Sequence, residues 1–419
     1  MAYAHQPLEQ TEAGAGVWRV VGPEAPAPLR GMVARGLAPL PPRDLLVALY
    51  QIWVTNDPEF AAVAAKTVEG LPPSLLNGAL DDQALPAGVL DFIGRKLSRN
   101  VDALERVVRH RQVTDETLAG IARVCPESVC DTLSDNQERW MRCPAIVESL
   151  YQNPSCRMSV IHRMLELAVR ENIDLRLPNM DEIRAALVES TADPERDEVF
   201  KRAASAGVAD THAKVIDKYQ ASGSGEELDL DGVFADSSGE LDLEGLFGQA
   251  ANDSLSLPFE DAEGDPIPEG LQAAAAAAAE QATGGQGRFF LISKLRPMEK
   301  IRLALLGTNF ERFVLIRDSN KAVCMSAIKS PKINDNEIIG YSANRTLARD
   351  IISYIAKRRE WTKLYSVQLN LVLNPKTPMA LAMGFMGRLH AHDIKRVAFS
   401  KNIPSALATA ARRKMEQRK

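Results

Sequence analysis

The stretch LVLNPKTPMALAMGF, residues 371–385, joins two apolar segments through a turn that no single helix could contain. The residues before it carry apolar side chains at helical spacing. Asn374 tolerates the left-handed geometry of a helix C-cap, and Pro375 cannot continue the helical hydrogen bonds. Thr377 is placed to cap the next helix, with Pro378 at its first position. The stretch therefore predicts a pair of helices joined by a tight turn.

A similar stretch, SLYQNPSCRMSVIHRM, begins much earlier in the chain, at Ser149, and the two stretches align at their Asn-Pro pairs. Trp140 lies thirteen residues before Asn153, and Trp361 lies thirteen before Asn374. Further upstream, NVDALERVVRHRQVTDE can be laid over NKAVCMSAIKSPKINDN with apolar residues paired with apolar ones. We predict that residues 100–165 and 320–386 are copies of one helical unit.

A shorter period lies inside each copy. IKSPKINDNEI at 328–338 and VLNPKTPMAL at 372–381 share one pattern, which predicts the same helix–turn–helix connection in both places. RHRQVTDETL at 109–118 and YQNPSCRMSV at 151–160 are its counterparts in the first copy. A period of about 40 residues with two helices per unit is typical of an α-solenoid, in which stacked hairpins share a continuous core. The sequence predicts an all-α protein with two α-solenoid domains of HEAT-like helical hairpins.

The NPxxP turns followed by apolar helices resemble the HEAT-like and leucine-rich-repeat-variant solenoids of bacteria. The resemblance covers residues 290–415 well and 40–190 loosely, and it rests on RDSNKAV, KSPKINDNEI, REWTKLYSVQLNLVLNPKTP and SKNIP in that order. The resemblance implies the solenoid fold and a general role in binding other molecules, and it implies no catalytic residues.

Charged residues are distributed unevenly along the chain, which the net charge of −5 does not show. Residues 1–221 carry 24 basic and 31 acidic side chains, 222–287 carry 15 acidic and no basic ones, and 288–419 carry 26 basic and 9 acidic ones. The middle segment has too few large apolar residues to offset the entropy cost of ordering. We predict a flexible N-terminal segment 1–27, a helical-repeat domain 28–220, a disordered acidic linker 221–288 with a short Ala-rich helix, and a basic helical-repeat domain 289–419.

The acidic segment contains a duplication, ELDLDGVF at 227–234 and ELDLEGLF at 240–247. Acidic-hydrophobic copies in a tether are typical of docking peptides, which a groove binds as helix or strand and whose pairing adds avidity. A degenerate repeat that only aids solubility is the alternative. The predicted anchors are Leu228, Leu230, Phe234, Leu241, Leu243 and Phe247.

The basic domain carries cations in and near its predicted turns. If the hairpins stack, equivalent turns lie along one edge about 10 Å apart, which makes an anionic partner plausible. Lysines on turns also serve solubility alone, and that alternative stays open. The predicted contacts to an anionic partner are Lys321, Lys329, Lys332, Arg358, Arg359, Lys363, Lys376 and Lys401. Arg317 is predicted to add a further cation to the same edge.

Signals for catalysis, metal binding and membrane insertion are weak. Cys125, Cys130, Cys143 and Cys156 lack the close pair that zinc and iron–sulfur sites usually begin with, so we expect no metal or other cofactor. The sequence has no Walker A, HExxH or GxSxG motif. No signal peptide and no apolar run of membrane-spanning length is evident, which favours the cytoplasm.

Three functions compete on these observations. A non-enzymatic scaffold or adaptor that binds other proteins, or its own linker, agrees best with them. A nucleic-acid-binding protein that uses the basic repeat surface is the alternative, although that surface lacks interleaved aromatic residues for stacking on single strands. An enzyme built on the solenoid ranks last.

Overall fold

The computed structural model describes residues 3–221, 285–400 and 403–417. Across these ranges the regular secondary structure is helical, which confirms the all-α prediction. No helix in the described ranges has the length and apolarity needed to cross a bilayer. The predicted acidic linker falls almost entirely outside these residues.

The chain divides into two compact units. Unit 1 comprises Met1–Met180 and Leu187–Val233, and unit 2 comprises Asp181–Ala186 and Phe234–Lys419. Unit 2 therefore includes a short segment from within the predicted N-terminal domain, a grouping that the sequence pattern did not indicate.

Unit 1 begins with short helices and ends with a long one. Its helices are α1 Gln10–Ala13, α2 Ala15–Val21, α3 Ala27–Ala34, α4 Pro42–Val54, α5 Ala61–Glu69, α6 Pro73–Leu80, α7 Ala87–Lys96, α8 Val101–Arg109, α9 Asp115–Val124, α10 Glu127–Asp135, α11 Gln137–Arg142, α12 Ala145–Gln152, α13 Met158–Arg170, α14 Met180–Glu189 (most of it grouped with unit 2) and α15 Asp197–Ala221.

The middle helices of unit 1 form two packed layers. Helices α3, α5, α7, α9 and α12 follow one another in one layer, and α4, α6, α8, α10 and α13 follow one another in the other. Each hairpin buries its apolar face against its neighbours, as in α8, where Leu104 and Val107 are buried. Stacked hairpins agree with the predicted architecture, but the predicted period of two helices in about 40 residues is wrong, because four helices, α9 to α12, lie between the turns at 110–114 and 153–157.

Residues 3–27 correct the prediction of a flexible N-terminal segment. Leu8, Val17 and Val21 are buried, and the backbone of Leu8 exchanges two hydrogen bonds with the side chain of Gln51 on α4. The two short helices, α1 and α2, were not predicted from the sequence. Their burial depends on contacts with α4, which local patterns do not show.

Helix α15 packs across the layer that contains α7 and α9. Tyr219 is buried near Gly120, where a Cβ atom would come within 2.8 Å of the tyrosine hydroxyl. Lys201, near the other end of the helix, pairs with Glu127 at 3.0 Å. The chain thus covers part of this layer with its own helix.

Unit 2 repeats the two-layer arrangement. Its helices are α16 Gly285–Ser293, α17 Pro297–Leu306, α18 Asn309–Leu315, α19 Lys321–Ile328, α20 Asp335–Ala343, α21 Arg349–Lys357, α22 Tyr365–Leu373, α23 Met379–Met386, α24 Ala391–Phe399 and α25 Ser405–Gln417. The even-numbered helices alternate along the chain with the odd-numbered ones, and most neighbours of the same set pack side by side.

The two Asn-Pro turns have the same hydrogen bonds in the two units. The buried amide of Asn153 donates to the carbonyl oxygens of Ala122 and Cys125, both at 2.9 Å. The amide of Asn374 donates to those of Ser342 and Asn344, both at 3.0 Å. Each Asn oxygen also accepts from the backbone N–H two residues later. Each asparagine therefore satisfies the end of the preceding helix in its own layer, which supports the predicted duplication.

The turn at 374–378 differs in detail from the prediction. Asn374 is extended, with φ −89° and ψ 120°, rather than left-handed. Pro378, with ψ 129°, is the N-cap residue, and the helix begins at Met379. The hydroxyl of Thr377 is buried and makes no capping bond. The asparagine side chain, rather than its backbone conformation, is what the turn requires.

We expect Asn374→Ala to destabilise unit 2 by about 2–3 kcal/mol, because it leaves buried carbonyl groups without donors. Urea unfolding of 5-fluorotryptophan protein, followed by ¹⁹F NMR, measures this. Trp361 reports on unit 2, and Trp18, Trp53 and Trp140 report on unit 1. Pro375→Ala, at the next and exposed position, is the control. An unchanged Trp361 midpoint in the Asn374 variant would show that the bonds are dispensable.

Candidate binding surface of unit 2

Two predicted turn lysines make hydrogen bonds within unit 2. The Lys332 ammonium donates to the carbonyl oxygen of Leu306, the last residue of α17, at 2.9 Å. The Lys376 ammonium donates to the carbonyl oxygens of Thr346 and Leu347 at 2.9 and 2.6 Å. A cation at unpaired carbonyl groups stabilises a helix end or turn. Both lysines therefore have a structural role, and an ammonium group has three donors, so each is able to bind a ligand as well.

The two-layer arrangement places the predicted turn lysines at two edges of the stack instead of one. Consecutive helices alternate between the two layers, so their turns alternate between the two edges of the stack. Lys321 and Lys376 lie at turns that leave the layer of α18 and α22, whereas Lys332 lies at a turn that enters it. The single row predicted from sequence is wrong for Lys332, because the segment from Lys332 to Lys376 covers three helices and reverses the direction of the turn.

Lys321 and Lys329 stand at opposite ends of α19. Lys321 is exposed and pairs with Asp350 at 2.7 Å, and this hydrogen bond raises the lysine pKa and lowers the pKa of the aspartate. Lys329 pairs at 2.8 Å with Glu182, which belongs to the short segment grouped with unit 2. Each ammonium thus has an acidic neighbour that a ligand would have to replace.

The remaining described cations follow α21. Arg358 donates from Nε to the Tyr354 hydroxyl at 3.1 Å, and its guanidinium lies 5.0 Å from the centre of the same ring. Tyr354 meets Trp361 edge to face, with ring centroids 5.9 Å apart. Arg359 and Lys363, which are near these residues in the sequence, are exposed. The structure therefore brings Arg358 together with two aromatic rings, a grouping that sequence reasoning did not indicate.

Several predicted site residues have no described position. The predicted anchors of the acidic motifs and the last turn lysine lie outside the described residues: Leu228, Leu230, Phe234, Leu241, Leu243, Phe247 and Lys401. Their roles stay predictions. Arg317, which was predicted to add a cation to the same basic edge, is exposed. Its guanidinium carbon lies 3.8 Å from the centre of the Phe313 ring.

A cleft between α23 and α25, lined by both apolar and polar side chains, was missed by sequence reasoning. It has a volume of about 640 Å³, and its lining includes Met383, Ala406, Ala410, Arg413 and Lys414. Met383 is 41% exposed. The sequence signal was the run MALAMGFM, whose apolar residues occupy more of the helix surface than one buried stripe needs.

The cysteines of unit 1 lie mostly in its core. Cys125 and Cys130 are fully buried with their sulfur atoms 3.5 Å apart, and the Asn153 amide lies 3.7 and 3.5 Å from them. In the described ranges no three His, Cys, Asp or Glu side chains are grouped so that they could hold a metal ion. These two thiols pack as small apolar groups beside the Asn153 turn.

Comparisons with protein-family models, with curated proteins and with solved structures give no significant match to this chain.

Proposed function

We propose that this protein is a non-enzymatic adaptor whose basic C-terminal unit binds acidic-hydrophobic segments of proteins. The observation that carries the proposal is the separation of charge along the chain. Residues 288–419 carry 26 basic against 9 acidic side chains, next to a segment, 222–287, with 15 acidic side chains and no basic one. Opposite potentials favour encounter and orient the partners. Acidic segments rich in Leu and Phe match the surface in both charge and apolar character.

The surface residues of unit 2 support this assignment. Arg359 and Lys363 are exposed, and the cleft beside Met383 adds apolar contact area to a basic surface. Stacked helical hairpins provide extended surfaces that are suited to peptide binding. We extend the proposal to membership of the HEAT-like solenoids and to action in the cytoplasm, in keeping with the five free cysteines.

A peptide spanning residues 222–250, labelled with fluorescein, tests the proposal by fluorescence anisotropy against protein that lacks the same residues. We expect binding that weakens as salt rises from about 0.05 to 0.5 M, since exposed charges are screened. A peptide with alanine at both Phe positions is expected to bind at least about tenfold more weakly, because aromatic anchors dominate such contacts. A wild-type peptide that does not bind at low salt would contradict the proposal.

Nucleic acid is the competing ligand in the same assay. The Arg358 cluster with Tyr354 and Trp361 is the feature that favours it, since aromatic rings and cations together suit single strands. A labelled single-stranded oligonucleotide and a duplex of the same length serve as probes. Tighter binding of either than of the peptide, with no competition by the peptide, would replace the adaptor proposal by the nucleic-acid one.

A further inference from the structure

We propose that the cleft between α23 and α25 is the docking site for the chain's own second acidic motif, residues 240–247. This inference rests on the proposed function and gives it a location. Three features support it: the chemistry of the cleft, the chemistry of the motif, and the length of chain between them.

The cleft combines an apolar floor with a basic side. Met383, which is 41% exposed, and Met386 line the cleft on α23, and the facing part of α25 contributes Ala406 and Ala410. Methionine side chains adapt to the shape of an apolar ligand. Because alanine side chains are small, a ligand backbone can approach α25 closely.

The cations of the cleft stand on α25. Arg413 is exposed, and Lys414 donates to the carbonyl oxygen of Met386 at 3.2 Å, which fixes its ammonium at the floor of the cleft. Between 379 and 419 the sequence has nine Lys and Arg residues against two acidic ones, Asp393 and Glu416. A ligand that brings carboxylates to this cleft meets few competing acidic groups.

The motif ELDLEGLF matches this surface by composition. Its apolar side chains are those of Leu241, Leu243, Leu246 and Phe247. Its carboxylates are those of Glu240, Asp242 and Glu244. An amphipathic peptide that places apolar side chains in a groove and carboxylates at its rim is a common mode of recognition. Charge complementarity therefore favours this occupant over a basic or purely apolar one.

The chain is long enough to deliver the motif. Phe247 precedes Gly285, the first residue of α16, by 38 positions. At about 3.3 Å per residue such a segment reaches at most ~125 Å. A unit of this size has a radius of gyration of about 14 Å, so even a third of that reach spans it. Covalent attachment supplies a high effective concentration of the motif at the cleft.

The test uses a fluorescein-labelled peptide of residues 238–249 and full-length protein, with binding followed by anisotropy. In a Phe234→Ala/Phe247→Ala receptor the chain's own motifs are silenced, and we expect it to bind the peptide at least about tenfold more tightly than the wild type does. Adding Met383→Glu to that receptor is expected to weaken binding at least about tenfold, because the new carboxylate replaces an apolar contact and repels the acidic motif. Adding Met32→Glu, at a methionine of unit 1 that is 44% exposed, is the matched control and should change nothing.

Thr409→Glu provides a second variant in the cleft. Thr409 is exposed and lines the cleft, and Glu forms helix more readily than Thr, so this receptor should fold and should also lose affinity. Binding that survives both cleft variants would overturn the proposed location while leaving the adaptor proposal in place. Equal affinity of wild-type and silenced receptors would overturn the chain's own motif as the occupant. If the silenced receptor fails to bind the peptide, both proposals fall.

Discussion

Asp91→Asn is expected to destabilise unit 1 by about 3–5 kcal/mol, which is the usual cost of leaving one member of a buried ion pair without its partner. The carboxylate of Asp91 accepts from Nε of Arg95 and lies 3.0 Å from Nε2 of His5, and the three side chains are at most 5% exposed. An amide in its place keeps the shape and removes the charge. Arg95 then loses the charge of Asp91 while it stays buried beside the Tyr219 ring.

The midpoint of urea unfolding measures this effect. With a slope of about 2–3 kcal/mol per molar urea, the fluorine signal of Trp53 should shift by ~1–2 M. Trp53 is suited to the purpose because its ring lies 4.8 Å from that of His5. Asp217→Asn is the control, since Asp217 pairs with Arg99 at 2.7 Å on the surface and such pairs stabilise little. Equal shifts for the two aspartate variants would contradict the importance of burial.

The buried pair of Asp91 and Arg95 makes the stability of unit 1 depend on pH in the acid range. Burial alone would raise the pKa of Asp91, but the nearby His5 ring and the charge and hydrogen bond of Arg95 outweigh it, and the net shift is downward. A lowered pKa in the folded state stabilises at pH values above the unfolded pKa of about 3.9. We expect this contribution to be lost as the pH falls below about 4 and to be absent from the Asp91→Asn variant, as acid unfolding of the two proteins would show.

The fold was predictable where a short motif carries its own geometry. Asn153 and Asn374 stand before proline in turns between apolar helices, so the helix ends at these turns could be inferred locally. The layering could not, because the sequence period does not say in which direction a turn crosses the stack. Lys332 shows the consequence: its spacing from Lys376 equals one period, yet its turn crosses in the opposite direction.

The parts of the surface that sequence reasoning missed depend on contacts that a linear pattern does not show. The cleft beside Met383 exists because α25 packs against α23. The cluster of Arg358 with Tyr354 and Trp361 is close in sequence, but the sequence pattern did not show that these side chains meet. Pairing of Lys321 with Asp350 likewise follows from the packing of α19 and α21.

Glu337→Gln should destabilise unit 2 by about 3–5 kcal/mol for the same physical reason as Asp91→Asn in unit 1. Arg312 on α18 donates from Nε and Nη2 to the two oxygens of Glu337 on α20, at 3.0 and 2.7 Å. Both side chains are at most 4% exposed, and Tyr341 also donates to Glu337 at 3.2 Å. The substitution leaves a buried guanidinium without its counter-charge, and the Trp361 fluorine signal reports the shifted midpoint.

A double variant separates the cost of an unpaired charge from the value of the pair itself. Arg312→Met with Glu337→Leu removes both charges, and apolar residues of similar volume often replace a buried ion pair at little cost. We therefore expect the double variant to be more stable than either single one. Arg312 also donates from Nη1 to the carbonyl oxygen of Gly307 at 3.0 Å, so some loss of stability should remain. A double variant that is as unstable as the sum of the single ones would mean that the pair contributes through packing and hydrogen bonds, rather than through the mutual compensation of two buried charges.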